Sequence, residues 1–452
     1  MSESVVQNLV AQSWQRALNP PAAVPASADV VIVGGGIIGV STAWFLAQQG
    51  IKAVLCEKGH IAGEQSGRNW GWVRQQGRDT REMPMIVESL KIWRELADAV
   101  GEDVGYSEQG VLFAAKNDDE IEQYHDWIDK TAEYGIGTRF IDRRELQSLV
   151  QGGASDWQGA LYTAKDGRAE PHLATAAIAR AAERLGATLL TACAVRGVES
   201  KGGRVASVVT EHGTIQTSTV LCAAGAWTSV FCRSLGIKVP QLKVRNTVAR
   251  TRAGPSVYDG NLYDDRLAIR RRQDGGYTVA NGLISDFPIT PATFRHGHKF
   301  LRAWLMDVKN VRLLLGREFL DEWQVPKRWS LDQPSPFEHT RVLNPKPSSK
   351  GLASIRRNLD DLFPQLADVE FAETWAGMIE TTPDVIPVID EIDSLPGFHV
   401  ATGFSGHGFG IGPGAGKAIA GMLSGNDSGM DLHEFRLNRF YDGTPIRPQS
   451  SV

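Results

Sequence analysis

The sequence predicts an α/β protein in which two domains share the chain in alternating pieces, and three observations predict it. An apolar run at Val30–Val33 leads through a glycine turn into a helical pattern, the opening of a βαβ unit. Strand-like runs, "KVRNTVARTR" and "GGYTVANGL", return late, between about 241 and 371. At 452 residues, with 42% hydrophobic and 22% charged content, the chain is long enough for two or three domains. Strands that return after a βαβ opening indicate interleaved rather than consecutive domains.

A net charge of -4 supplies no sequence-wide basic field for nucleic acid or anionic lipid, so small molecules are the expected partners. The four cysteines (Cys56, Cys193, Cys222, Cys232) lack metal-ligand spacing, and three lie in or beside apolar runs that read as buried strands; neither a disulfide nor a metal site is expected. No secretory leader pattern opens the sequence, and no apolar run reaches the roughly 18 to 20 residues of a membrane helix. The expected compartment is the reducing cytoplasm.

Taken in order, residues 1 to 27 pair a short periodicity (Val6, Leu9, Val10, Trp14, Leu18) with "NPPAAVPASAD", which cannot continue a helix. They read as an amphipathic turn or two and a linker, docked on the protein's own body or on a sister subunit. Gly34, Gly36 and Gly39 then give GxGxxG between the strand and a helix over 37–49. In that pattern the first glycine makes the tight turn, the second lets backbone approach a pyrophosphate, and the third lets helix pack close on strand. Glu57 stands eighteen residues after Gly39, at the end of "KAVLCE". A carboxylate there accepts hydrogen bonds from a ribose diol and repels a 2'-phosphate. Strand, turn, helix, strand and acid in register point to a dinucleotide whose adenosine diphosphate end is held here.

Downstream come a helix, a strand near 188–199, a hairpin around "SKGGR" and a strand ending at 220–224. The stretch from about 293 to 322 reads as one longer helical run, within a segment, 286–345, that packs on a sheet face or on another subunit. Near the end, "FHVATGFSGHGFGIGPGAGKAIAGML" reads as a strand, a loop crowded with glycines from Gly403 to Gly412, and a helix from about Pro413. Such a loop leaves N–H groups and a helix N-terminus facing whatever sits against it.

Four blocks in this order resemble those of the D-amino acid oxidase, glycine oxidase and sarcosine oxidase family of FAD enzymes. They are the GxGxxG with Glu57, "CAAGAW" at 222–227, "WAGMIETTPDVIPVID" at 375–390 and "GFSGHGFGIGPGAGK" at 403–417, and the resemblance covers about residues 28 to 437. It implies a Rossmann-like, GR2-type FAD-binding domain from 28–115, 165–240 and 372–437. A substrate domain on a mixed sheet takes 116–164 and 241–371, after an extension and linker over 1–27. The implied chemistry is hydride removal from a carbon α to an amine, giving an imine that water hydrolyses. The flavin does the oxidation, so the protein has to position and desolvate.

The resemblance places FAD contacts on Gly34, Gly36, Ile37, Ile38, Gly39, Glu57 and Lys58 at the adenosine and pyrophosphate end. Ser66, Gly67, Arg68, Asn69 and Gly71 run toward the ring, with Arg68 a phosphate partner. Val195, Ala224, Gly225 and Trp227 belong to the second block, and Gly377, Gly406, His407, Gly408 and Gly410 lie at the flavin edge. Covalent attachment through cysteine, found in some relatives at the block matching "WAGMIETTPD", is excluded because no cysteine follows Cys232, and "SGRNWGW" offers no histidine. FAD is therefore expected to be non-covalent.

An amino acid substrate needs an arginine whose planar fork takes both carboxylate oxygens. Arg74, Arg270 and Arg250 are the candidates in that order; strand alternation sends Arg270 and Arg272 to one face and Arg271 to the other. His407 is the remaining catalytic candidate, with a packed neutral histidine as the other reading. Trp70 and Trp72 alternate around Gly71, as walls of an apolar site or as core. Sarcosine oxidases carry a substrate-holding lysine where this chain has Gly410, and an oxygen-activating lysine on a strand comparable to the one offering Thr278. A dehydrogenase passing electrons to a quinone or a carrier protein therefore stands beside an oxidase using O2. Two other functions fit the same fold: oxidation of a 2-hydroxy acid, and an FAD-holding subunit whose partner does the chemistry.

Overall fold

The computed structural model describes residues 20–307 and 310–449, so the periodicity of Val6 to Leu18 lies outside the described residues. Among the described residues the strands form four sheets. One, six-stranded, runs in the order Val388–Glu391, Phe398–Thr402, Val220–Cys222, Val30–Val33, Ala53–Cys56, Thr188–Leu190. All neighbours are parallel except the first pair. Its central strands, Val30–Val33, Ala53–Cys56 and Val220–Cys222, are apolar and buried throughout because both faces are covered. One face carries the helices Ile37–Gln48, Met83–Val100, Pro171–Arg184 and Gly408–Ser424. On the other lies the three-stranded sheet of Val195–Lys201, Arg204–Thr210 and Gly213–Gln216, whose first two strands form the expected "SKGGR" hairpin.

The helix Gly408–Ser424 begins earlier than its sequence suggests, since the expected loop through Gly412 is already helical. Its glycines serve helix packing: a Cβ at Gly412 would stand 2.6 Å from Ile37, and one at Gly416 2.4 Å from Ser41. Pro413 inside the helix removes a backbone donor and crowds the preceding turn. Helix Met83–Val100 repairs the gap. Ser89 donates to the Gly410 carbonyl (2.7 Å) and accepts from the Gly414 N–H (3.1 Å), while Trp93 Nε1 also donates to Gly410 (2.8 Å).

The largest sheet has ten strands and is mixed. Its longest pair is Leu242–Thr251 with Phe371–Thr381, antiparallel from Leu242 opposite Thr381 to Thr251 opposite Phe371. Sheet membership departs from the sequence-based segment boundaries in two places. Val111–Ala115 pairs with Gly159–Thr163 and Asn261–Asp264, and Phe371–Thr381 joins Leu242–Thr251, so both belong to this sheet. The expected helical run over 293–322 is also broken, into Pro291–His296, a 3-10 turn, Leu301–Asp307, a strand Val311–Leu314 and Arg317–Gln324. That strand pairs with Ser285–Pro288, and sheet pairing overrides the local helical pattern.

Among the described residues no helix is long and apolar enough to cross a membrane, no group of side chains could hold a metal ion, and all four cysteines are free and buried.

Candidate active site

A cavity of about 980 Å³ runs between the six-stranded and ten-stranded sheets. At one end lies the glycine turn. Gly34 has φ +115°, and a Cβ there would stand 2.4 Å from the Ala223 carbonyl oxygen; one at Gly39 would stand 2.1 Å from that of Gly34. The turn therefore exists only with glycine at both positions. Ser66 Oγ accepts from the Ile37 N–H (2.8 Å) at the helix start. The Glu57 carboxylate is fixed by the N–H groups of Gly35 and Gly59, both at 2.7 Å, and burial raises its pKa. It lines the cavity with Gly34, Gly36, Ile37 and Ile38.

At the other end the chain passes through Trp70, Trp72 and Arg74, all of which line the cavity. The Trp70 and Trp72 rings meet edge to face at 5.7 Å, Trp72 lies 6.3 Å from Phe113, and Phe113 lies 5.1 Å from Tyr263. Phe113 and Tyr263 come from paired strands of the large sheet. The Arg74 guanidinium sits 5.1 Å over Phe113 and donates to the Gln76 carbonyl. Its turn is held by Asp166, which accepts from the N–H groups of Gln75 and Gln76, both at 2.9 Å. Arg78 and His407 complete this end, with Glu82 fully buried behind His407.

Residues 29–422 match the model of the DAO family, described as FAD dependent oxidoreductase. The chain belongs to this family. The structure is similar to that of L-amino acid deaminase from Proteus myxofaciens in complex with anthranilate, with a TM-score of 0.90, 30% identity, and coverage of 94% of this chain and 97% of that one. The sequence is 25% identical over 445 residues to mitochondrial sarcosine dehydrogenase of Homo sapiens, covering 96% of this chain and 44% of the relative. It is 23% identical over 427 residues to sarcosine oxidase subunit beta of Arthrobacter sp, covering 92% of each. The chain thus spans less than half the length of the sarcosine dehydrogenase it matches.

The site fits the family's cofactor. A half-buried carboxylate with fixed orientation, a glycine turn that a Cβ would fill, and a helix N-terminus together line one end of a cavity of dinucleotide size. Of the FAD contacts expected from the sequence, Lys58, Ser66, Arg68, Asn69, Val195, Ala224, Gly225, Trp227, Gly377, Gly406, His407, Gly408 and Gly410 also line it. Gly39, Gly67 and Gly71 do not: they stand behind the wall, where side chains would meet the carbonyl oxygens of Gly34, Ala62 and Ala169. Two expected charge partners have other work. Lys58 Nζ bonds Glu64 and the carbonyls of Thr340 and Arg341 at 2.8 to 3.0 Å, and Arg68 bonds Gly63, Asn344 and Ala376.

Arg270 is not at the site. It is 1% exposed and bonds Glu170 through both terminal nitrogens (3.0 and 3.2 Å), the Ala169 carbonyl and Thr278. Arg272 faces the same carboxylate at 3.5 Å while Arg271 lies over Tyr277, as strand alternation requires. Arg250 is likewise committed, to Glu373 and Asp274.

The sequence reading missed Arg78, Glu82, Asp166 and Glu380. Burial lowers the pKa of Arg74 and Arg78, and each feels opposing carboxylates. His407 is pushed down by burial and Arg78. For Glu82, burial pushes up, but His407, Arg78 and Arg74 outweigh it and the net shift is down. Glu380, on the wall near Gly377, is raised by burial to about 7 although Gln65 donates to it. The only sequence signal for Arg78 and Glu82 was their position between Arg74 and a strong helix.

Proposed function

We propose that this chain is an FAD-dependent oxidoreductase acting on the CH–NH bond of a small amino acid or N-alkyl amino acid, with an imine product that water hydrolyses. One observation carries the reading: Arg74, in an aromatic enclosure of Trp70, Trp72, Phe113 and Tyr263, faces the cavity at the end opposite Glu57. The activities named for the relatives, sarcosine dehydrogenase and L-amino acid deaminase, support the substrate class.

Glu57 and the N–H groups of the glycine turn would hold the adenosine and pyrophosphate of FAD, with Gly377 and Gly406 to Gly410 along the rest. Bound FAD supplies the acceptor for the hydride. Arg74 pairs the substrate carboxylate; its lowered pKa reflects a burial cost that an incoming anion offsets. The aromatic walls exclude water and fix the α carbon between them. The attachment is non-covalent: Cys56, the cysteine among the cavity-lining residues, sits beside Glu57, at the adenosine end.

The reading extends to a dehydrogenase that passes electrons to a quinone or carrier protein. Thr278 is buried under Arg270 and Arg272, and among the described residues Lys58 is the only lysine lining the cavity. Buried free thiols accord with the cytoplasm. Exposed Phe294, Leu315 and Trp323 accord with the contact surface expected of the 286–345 segment.

The test is anaerobic. The yellow protein is mixed with D- and L-amino acids, N-methyl amino acids and 2-hydroxy acids, flavin absorbance is followed, and air is then admitted. Bleaching by an amino acid with slow recolouring is expected. Bleaching by hydroxy acids alone would overturn the substrate class, and rapid recolouring would make the protein an oxidase.

A further inference from the structure

The arrangement of Glu82 and His407 goes beyond what substrate binding requires. Each residue is the cap at the start of a long helix, Glu82 before Met83–Val100 and His407 before Gly408–Ser424. Glu82 is 0% exposed, and neither carboxylate oxygen accepts a well-formed hydrogen bond from the described residues. Burying an ionised carboxylate without such bonds is costly, and proteins retain one chiefly where its charge has a use. Its Oε2 lies 3.5 Å from His407 Nδ1, which is itself buried and without a hydrogen bond. His407 lines the cavity, and with Nδ1 turned to Glu82 the ring nitrogen left for a ligand is Nε2.

The backbone is shaped to hold this pose. Ser405 has φ +49° and Gly406 φ +85°, a left-handed pair that turns the chain so that the His407 N–H bonds Phe404 O at 2.7 Å. Arg78 Nη2 reaches the His407 carbonyl at 3.4 Å.

We propose that Glu82 is a positioning residue that holds His407 as the acceptor of the proton a substrate ammonium must lose before oxidation. This rests on the amine reading above. An amino acid arrives as R–CH(COO⁻)–NH3⁺, which has no lone pair on nitrogen to assist hydride loss from the α carbon. In the step, one N–H bond breaks with its electron pair left on the amine, a bond forms from that proton to Nε2, and neutral imidazole becomes imidazolium. No oxidant is needed. Glu82 acts twice: its carboxylate, 3.5 Å from Nδ1, favours the tautomer that carries the proton on Nδ1 and leaves the Nε2 lone pair free, and its charge offsets the imidazolium.

The neighbouring charges set the timing. Arg74 and Arg78, from the turn before the helix, disfavour the imidazolium, as does the helix start at Gly408, while Glu82 favours it. In the free enzyme burial and the arginines win, and His407 is neutral. A substrate carboxylate on Arg74 cancels one opposing charge, so binding makes His407 more basic just as the proton must be taken.

The experiment follows the anaerobic reductive half-reaction of the holoenzyme against pH with the best amine from the panel. Wild type, Glu82→Gln, Glu82→Asp and His407→Gln are compared, with benzoate binding read from the flavin spectrum. Wild type loses rate on the acid side as His407 protonates. Glu82→Gln keeps the tautomer but loses the charge that raises the His407 pKa, so the acid limb moves to lower pH and the plateau rate falls about tenfold. Glu82→Asp restores the limb. His407→Gln abolishes the limb and costs about a hundredfold in rate while benzoate still binds. A Glu82→Gln limb that does not move, with only a lower plateau, would reduce Glu82 to a packing role and overturn the proposal, as would a limb that survives His407→Gln. If no amine bleaches the flavin, the amine reading itself fails; if amines bleach it and the limb is unmoved, that reading stands and only this inference falls.

Discussion

Two groups of arginine stand on either side of the segment that carries Trp70 and Trp72. Arg270 packs against Gly71, where a Cβ would lie 2.9 Å from its guanidinium carbon, and each of its terminal nitrogens has two acceptors. Arg74 and Arg78 face the cavity, and Arg78 Nη1 is buried without a partner. Residue type is alike, while counter-charge differs: Arg270 is bridged to the Glu170 carboxylate, whereas Arg74 and Arg78 donate to carbonyl oxygens. A buried charge paired with a carboxylate is a strut, and one left short of counter-charge beside a cavity is poised for a ligand.

Breaking the strut should have the largest effect. Arg270→Met leaves Glu170, held well below the usual carboxylate range by Arg270 and Arg272, partly uncompensated in the interior. The expected loss is about 3–5 kcal/mol, read from denaturant unfolding, and a double Arg270→Met/Glu170→Leu variant should recover most of it. Failure of the single variant to destabilise would remove the contrast.

Glu380 tests the cavity side through pH. Its folded pKa of about 7 exceeds the unfolded value of 4.5, so the folded state holds the proton more tightly. This contribution to stability is present below the unfolded value and is lost as pH rises through about 7, a swing of about 3 kcal/mol at most. Glu380→Gln, which has no charge to bury, should flatten the stability profile between pH 5 and 8.

Arg74→Met sharpens the comparison at the substrate. KM for an amino acid should rise about a hundredfold, or about 2.7 kcal/mol, with the thermal midpoint little changed. The reverse pattern, lost stability with KM unchanged, would make Arg74 a second strut.

The dinucleotide end was legible in the sequence because its determinants are local. Three glycines and one acid at fixed spacing encode a turn that leaves no room for a Cβ at Gly34 or Gly39, and no distant residue is needed to read it. The substrate end depends on pairings across the chain. Nothing near Arg270 says that Glu170, 100 residues earlier, consumes it, and nothing near Arg74 says that Asp166 holds its turn. For the same reason Val111–Ala115 and Val311–Leu314 joined sheets that local periodicity did not reveal.

The hydroxyl of Ser89, spliced into the helix that Pro413 interrupts, fixes a length. Helix Met83–Val100 has Glu82 at its tip, helix Gly408–Ser424 has His407 at its tip, and Ser89 and Trp93 rivet the two together within about three turns of those tips. The gap between acid and imidazole is thereby a dimension of the frame, like the jaw setting of a caliper whose arms are pinned close to the points. Loops over the rest of the chamber can lengthen, shorten or exchange to admit other molecules without changing that setting.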